Sequence, residues 1–162
     1  MERLGIIKPI DEPTDWCSPI IPVLKPNGKV RICVDLTRLN NSVKREKLLL
    51  PVVEETLAKI KSAKFFSKLD AESGFWQLKL SPASVKLTTF ITPIGRYYFQ
   101  RLPFGISSAS EIFQKKMFRL LAGIEGVLCH MDDILIHGKT QEEHDIRLHQ
   151  VLKRLQENKV VR

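Results

Sequence analysis

Val127–His137 reads VLCHMDDILIH. Two short apolar runs rich in β-formers, Val127–Met131 and Ile134–Ile136, flank Asp132 and Asp133, which predicts a β-hairpin with the acids at its tip. Asp-Asp is a poor tight turn, because Asn-Gly or Asp-Gly reaches positive φ at lower cost and adjacent like charges repel. A costly turn between strands that look buried suits a carboxylate pair that holds a divalent cation. Asp also tolerates turns in its own right, so the pair alone leaves an ordinary turn open. The choice depends on what else in the chain converges there.

Around this acidic point the chain is basic. Twenty-six Lys and Arg against 18 Asp and Glu give a net charge of +8, which favours a polyanionic partner, nucleic acid before membrane. With 162 residues and 43% hydrophobic side chains the chain can build one respectable core. Cys17, Cys33 and Cys129 are odd in number, widely spaced and free of any Cys-x-x-Cys, so neither a disulfide framework nor a zinc site is indicated. His144 and His149 are five apart and make no helical metal pair. No secretory signal or long apolar span is visible, which points to an intracellular protein without a membrane partner.

Working outward, Ser108 and Glu111 form a capping box for a helix with Ile112, Phe113, Met117, Leu120 and Leu121 as its apolar face and Gly123 as its stop. Beyond the hairpin, Thr140 and Glu143 open a second helix, with Leu148, Val151, Leu152 and Leu155 on one side and Asn158 at its end. Val160–Arg162 reads as the start of another strand. Upstream, Phe65–Leu69 reads as a buried strand ending at Asp70, where a fold can hold a ligand rigidly; a turn starter is the other reading. A helix is expected from Pro51, with Val53, Leu57 and Ile60 as its stripe, and Ser81-Pro82 opens a short one. Thr88–Thr92 and Arg96–Gln100 form a hairpin around Pro93-Ile94-Gly95.

Nearer the start, Ile20–Leu24 and Val30–Asp35 flank Asn27-Gly28, a strong hairpin signal. Lys25, Lys29 and Arg31 sit on or beside it, either as ligand-binding cations or as a basic edge that discourages aggregation. The first nineteen residues, broken by Pro9, Pro13 and Pro19, are expected to lie extended along the surface. From Phe65 onward the order gives an α+β fold with helices on one face of a small antiparallel sheet. If the strand ending at Asp70 pairs beside the acidic hairpin, three carboxylates meet at one edge. They could hold two Mg²⁺ ions, which clamp the attacking and leaving oxygens in displacement at phosphorus.

Four blocks, VLKPNGKVRICVDLTRLN, LDAESGFWQL, LPFGISSASEIFQ and HMDDILIHG, resemble the reverse transcriptases of gypsy-type long-terminal-repeat retrotransposons, in the family's order and at about its spacing. The resemblance implies a right-hand polymerase fold, with fingers in residues 1–45 and 78–108, palm in 46–77 and 109–162, and the thumb absent. It implies an RNA-directed DNA polymerase that uses two Mg²⁺ ions, or Mn²⁺ in their place. The implied partners are dNTPs and an RNA or DNA template with a DNA primer. It also implies a longer polyprotein with RNase H and integrase regions, located in cytoplasmic particles or the nucleus.

Residue by residue, Asp70, Asp132 and Asp133 match the catalytic metal ligands, joined by the Ala71 backbone carbonyl. Ser73 and Gly74 match backbone donors to the triphosphate, and Phe75 matches the aromatic gate that excludes a ribose 2′-hydroxyl; a core aromatic is the alternative for Phe75. Lys25 and Arg31 match the fingers cations on the triphosphate. Phe104 and Gly105 match the pocket near the nascent base pair, or else form an ordinary loop. His130 and Met131 match the primer and template contacts. Departures are His130 where tyrosine is usual, Thr37 where arginine is usual after the Asp-aromatic pair, and Lys25 before Pro26 where a second lysine is common. An inactive relic or co-opted nucleic-acid-binding module is the competing reading, and Phe75 argues against an RNA-making polymerase.

Overall fold

The computed structural model describes residues 1–24, 26, 28, 30–45 and 60–160, without the side chains of Arg31 and Ile32. The helix expected from Pro51 and the last two residues of the strand expected at Val160–Arg162 lie outside the described residues. In chain order come β1 (Ile7–Pro9), β2 (Ser18–Leu24), β3 (Val30–Val34), α1 (Thr37–Asn40) and β4 (Phe65–Asp70). Then follow α2 (Pro82–Val85), β5 (Phe90–Thr92), β6 (Gly95–Phe99), α3 (Ala109–Leu121), β7 (Val127–His130), β8 (Asp133–Gly138) and α4 (Gln141–Glu157). They divide into two compact units, residues 1–45 with 75–109 and residues 46–74 with 110–162.

The first unit is built on a five-stranded sheet in the order β1-β6-β5-β2-β3. The hairpin expected around Asn27-Gly28 pairs Ile20 with Val34 through to Leu24 with Val30. The second hairpin closes at Thr92 opposite Gly95, so Pro93 and Ile94 form its loop. Ile6, Phe90 and Phe99 make the core, with the Phe90 and Phe99 rings 5.1 Å apart. The N-terminal stretch is more than a surface strap: Ile7–Pro9 pairs with β6 as an edge strand. An edge is where Pro9, lacking an N–H, is tolerated, and Ile6 and Ile10 on either side are buried.

The second unit carries an antiparallel sheet in the order β4-β8-β7. Alternation along β8 buries Ile134 and Ile136 almost completely and leaves Asp133, Leu135 and His137 half-buried on the other face. Helix α4 packs against β8 and β4, and its Val151 and Leu155 are buried. Thr140 caps it as expected, accepting from the Glu143 amide at 3.2 Å, while the Glu143 carboxylate accepts from Lys139 N at 2.7 Å. Two expectations need correction. Strand β4 is not buried, because among the described strands it has one neighbour, and Phe65 and Phe66 are 39% and 48% exposed. On α3, Ile112 points outward and Gln114 takes its place among Phe113, Met117 and Leu121, since at 100° per residue the buried arc is centred past Phe113.

Two polar side chains tie helices to this framework. His144, buried on α4, is hydrogen-bonded through Nδ1 to Asp145 Oδ1 at 2.8 Å and through Nε2 to the Ser67 hydroxyl of β4 at 2.9 Å. Arg154 Nη1 donates to Leu120 O at 2.9 Å and Ala122 O at 3.5 Å, covering carbonyls that the end of α3 leaves unpaired. No described helix is long and apolar enough to cross a membrane. Replacing Arg154 by Met, which keeps the apolar stem, should lower stability by about 1.5–3 kcal/mol, read as a fall in the urea midpoint at unchanged slope.

Candidate active site

The register between β4 and β8 puts Asp70 directly opposite Asp133, and β7 puts His130 opposite Asp133 from the other side. Directly opposed residues present their side chains on one face, so two carboxylates share the same outer face of the sheet. The connecting loop is Met131-Asp132, one residue earlier than the sequence pattern implied. Asp133 is the first paired residue of β8, and the turn is instead opened by Met131 at φ +53°. Ala71 N donates to Asp132 O at 2.9 Å, so the chain leaving β4 is stitched to the turn.

A non-glycine residue at such a φ needs support from its surroundings. Gln114 supplies it. Fully buried on α3, its Nε2 donates to Cys129 O at 2.9 Å and its Oε1 accepts from Met131 N, so one amide grips both sides of the turn. The Cys129 thiol donates to Met131 O at 3.6 Å. Burial, reinforced by Asp132 and Asp133, pushes that thiol up to about 12, so it stays protonated at neutral pH.

Asp132 is the least satisfied of the three acids. Its Oδ1 is buried with no hydrogen-bond partner, and burial, then Asp70 and Asp133, hold its carboxyl above the ordinary carboxylate range. It rests against Gly74. A methyl group on Gly74 would run into Asp132 Oδ1 and lie 2.8 Å from Phe113 Cζ, so only glycine fits. Asp133 has a partner: Lys68 Nζ of β4 lies 3.0 Å from its Oδ1. Both side chains are well exposed, so this pair adds little stability.

An unpartnered buried carboxylate oxygen with two further carboxylates on adjoining residues suits a hard, oxygen-seeking divalent cation. Among the described residues no three acidic, histidine or cysteine side chains are gathered tightly enough to hold a metal on their own. Like charges without a counter-ion stand apart, and here one of them leans on Lys68.

The remaining expected residues fall as follows. Ala71 is buried at the end of β4; Ser73 takes φ +50° just before Gly74. Phe75 lies in the 3-10 turn Gly74–Gln77, and within the first unit its ring meets Phe104 at 5.0 Å. Gly105, at φ +97°, accepts from Asn40 Nδ2 at 2.7 Å, and Asn40 Oδ1 accepts from Ser107 N at 2.8 Å, which fixes that loop. His130 is exposed at the end of β7. Arg31 pairs with Val23 in the β2–β3 hairpin, but its side chain and all of Lys25 lie outside the described residues. Sequence reasoning missed Gln114, Asn40 and Lys68. A glutamine inside an apolar helical stripe is a readable signal; Asn40 and Lys68 act through contacts that no local pattern marks.

The pattern of the family described as "Reverse transcriptase (RNA-dependent DNA polymerase)" matches residues 23–161. The chain belongs to the reverse transcriptase family. Over 158 residues it is 36% identical to the retrovirus-related Pol polyprotein from transposon opus of Drosophila melanogaster, covering 93% of this chain and 16% of that protein. It is 36% identical over 139 residues to the transposon Tf2-3 polyprotein of Schizosaccharomyces pombe, covering 85% of this chain and 10% of the polyprotein. Among solved reverse transcriptases, the prototype foamy virus protease-reverse transcriptase superposes with a TM-score of 0.84 at 27% identity, covering 97% of this chain and 21% of that one. A foamy viral enzyme solved with an RNA/DNA hybrid gives a TM-score of 0.83 at 27% identity over 95% of this chain and 20% of that one. The chain thus spans roughly a tenth to a fifth of the length of these four relatives. Reverse transcriptases work with divalent metal ions, in keeping with the acidic donor set.

Two measurements probe this arrangement. Gln114→Leu leaves Cys129 O and Met131 N without their partner, so stability should fall by about 2–4 kcal/mol and the Met131 amide should lose protection from hydrogen exchange. Asp132 binds its proton more tightly in the folded than in the unfolded chain. In chelator, therefore, ionisation of Asp132 disfavours the fold, and this penalty should fade as the pH falls from neutral toward 4. Asp132→Asn should remove it, raising the metal-free Tm at pH 7 by on the order of 1–3 °C with a smaller gain at pH 4.

Proposed function

We propose that this chain is the fingers–palm core of an RNA-directed DNA polymerase, which extends a DNA primer on an RNA or DNA template by nucleotidyl transfer from dNTPs. The observation that carries the reading is Asp70 opposite Asp133 across β4 and β8, with the unpartnered Asp132 oxygen beside them. Fingers are assigned to residues 1–45 and 78–108 and palm to 46–77 and 109–162. The two compact units, which divide at 74/75 and 109/110, support that assignment.

In this reading Asp70, Asp132 and Asp133, with the Ala71 carbonyl, hold two Mg²⁺ ions, or Mn²⁺ in their place. Bound there, the cations would neutralise phosphate charge and favour ionisation of the primer hydroxyl. In the transfer the primer 3′-oxygen loses its proton and forms a bond to the α-phosphorus, while the bond from that phosphorus to the departing pyrophosphate breaks. The chain's own part is positioning: Gln114 and Gly74 hold the acidic turn, and the amides of Ser73 and Gly74 face the triphosphate. Lys25 and Arg31 add positive charge to it. Phe75, braced by Phe104, excludes a 2′-hydroxyl, while Phe104 and Gly105 border the nascent base pair. His130 and Met131 contact primer and template. Membership of a longer retrotransposon polyprotein of gypsy type, with RNase H and integrase regions, accompanies this reading, and so does work in cytoplasmic particles or the nucleus.

Primer extension with dNTPs and Mg²⁺ is the direct test. Asp70→Asn and Asp132→Asn should each lower the rate by at least about 100-fold, and Phe75→Val should admit NTPs that the parent chain rejects. Salt-dependent binding of nucleic acid with no extension by the parent chain would favour the non-catalytic binding module instead.

A further inference from the structure

Lys68 is the one cation that the described residues place on the acidic site, and nothing in the reaction outlined above uses it. It precedes Asp70 by two residues on β4, so both side chains leave the same face of the sheet. The register sets Lys68 opposite Leu135 and Asp70 opposite Asp133, which makes Lys68 and Asp133 diagonal neighbours. That spacing is within reach of a long side chain, and the ammonium lies 3.0 Å from Asp133 Oδ1. One acid of the cluster is therefore already neutralised, while Asp132 keeps a bare oxygen.

We propose that the Lys68 ammonium is a built-in counter-ion of the acidic site, which a divalent cation must displace in order to bind, so that Lys68 sets the cation concentration at which the site fills. This rests on the reading of Asp70, Asp132 and Asp133 as the metal-binding acids. Lysine suits the role better than arginine. Its charge is compact, its stem is flexible, and its side chain is 64% exposed, so it can swing into water without leaving a buried charge behind. A bidentate guanidinium would be harder to dislodge. Before the cation arrives, the ammonium lowers the repulsion between Asp70 and Asp133. When the cation arrives, Lys68 opposes it twice, by occupying a ligand oxygen and by repelling the incoming charge.

Cation binding to the full chain, followed by Mn²⁺ titration with electron paramagnetic resonance at low ionic strength, separates the possibilities. Lys68→Met keeps the stem and loses the charge, so it should bind Mn²⁺ about three- to tenfold more tightly than the parent chain, as expected for one charge a few ångströms from a divalent ion near water. Added salt should shrink that gap. Lys68→Arg, which keeps the charge, should bind no more tightly than the parent. In chelator Lys68→Met should melt below the parent chain, and saturating Mn²⁺ should abolish the difference. If Lys68→Met binds Mn²⁺ no more tightly than the parent chain while Asp132→Asn loses the ion, the counter-ion role is wrong and the metal site stands. If Asp132→Asn binds Mn²⁺ as the parent does, the metal site itself is wrong, and the role of Lys68 falls with it.

Discussion

Two carboxylates placed opposite each other across adjacent strands oppose folding, and the second unit is arranged so that this pairing nevertheless holds. Asp70 and Asp133 face each other because β4 and β8 run in a single register, and that register is set on the reverse face. There Ile134 and Ile136 are almost wholly removed from water; a slip of one residue would carry both to the solvent side and the acids into the interior. The hydrophobic cost of such a slip, about 1.5–3 kcal/mol for each large aliphatic side chain, exceeds what like-charge repulsion at an exposed edge can return. Apolar burial on one face thus enforces electrostatic discomfort on the other.

The same discomfort shows in the backbone. Of the three non-glycine residues in the left-handed region among the described residues, Ser73 and Met131 stand next to Gly74 and Asp132. Each costs on the order of 1–2 kcal/mol and persists only where the surroundings over-determine it. For Met131 the surroundings are the Gln114 amide and the Cys129 thiol. Strain, an unpartnered oxygen and a glycine that admits no methyl group all converge on Asp132. Hydrophobic and hydrogen-bonding support from α3 holds it there.

Local chemistry was readable in the sequence wherever it was strong. The β2–β3 pairing and the Pro93-Ile94 hairpin, the Ser81 and Thr140 caps, the Gly123 stop and the strand ending at Asp70 all stand where the patterns place them. What escaped was set by partners distant in the chain. Ile7–Pro9 becomes a strand only because β6 offers an edge, and β2 lies parallel to β5 across seventy residues. The tip of the acidic hairpin shifted by one residue because Gln114, seventeen positions before Met131 on helix α3, dictates where the chain turns. The acids themselves were legible as residue types, but the contact between Gly74 and Asp132 is purely tertiary.

The buried Cys129 has a practical bearing. A thiol held protonated up to about pH 12 and shut from solvent is a poor nucleophile, so electrophiles and mild oxidants pass it by. Cys17, by contrast, is exposed, and it belongs to the other compact unit. Thiol chemistry therefore reaches the first unit while the acidic turn stays chemically silent, and once the half-exposed Cys33 is replaced by Ser, a single fluorophore or spin label on Cys17 becomes an unobtrusive reporter.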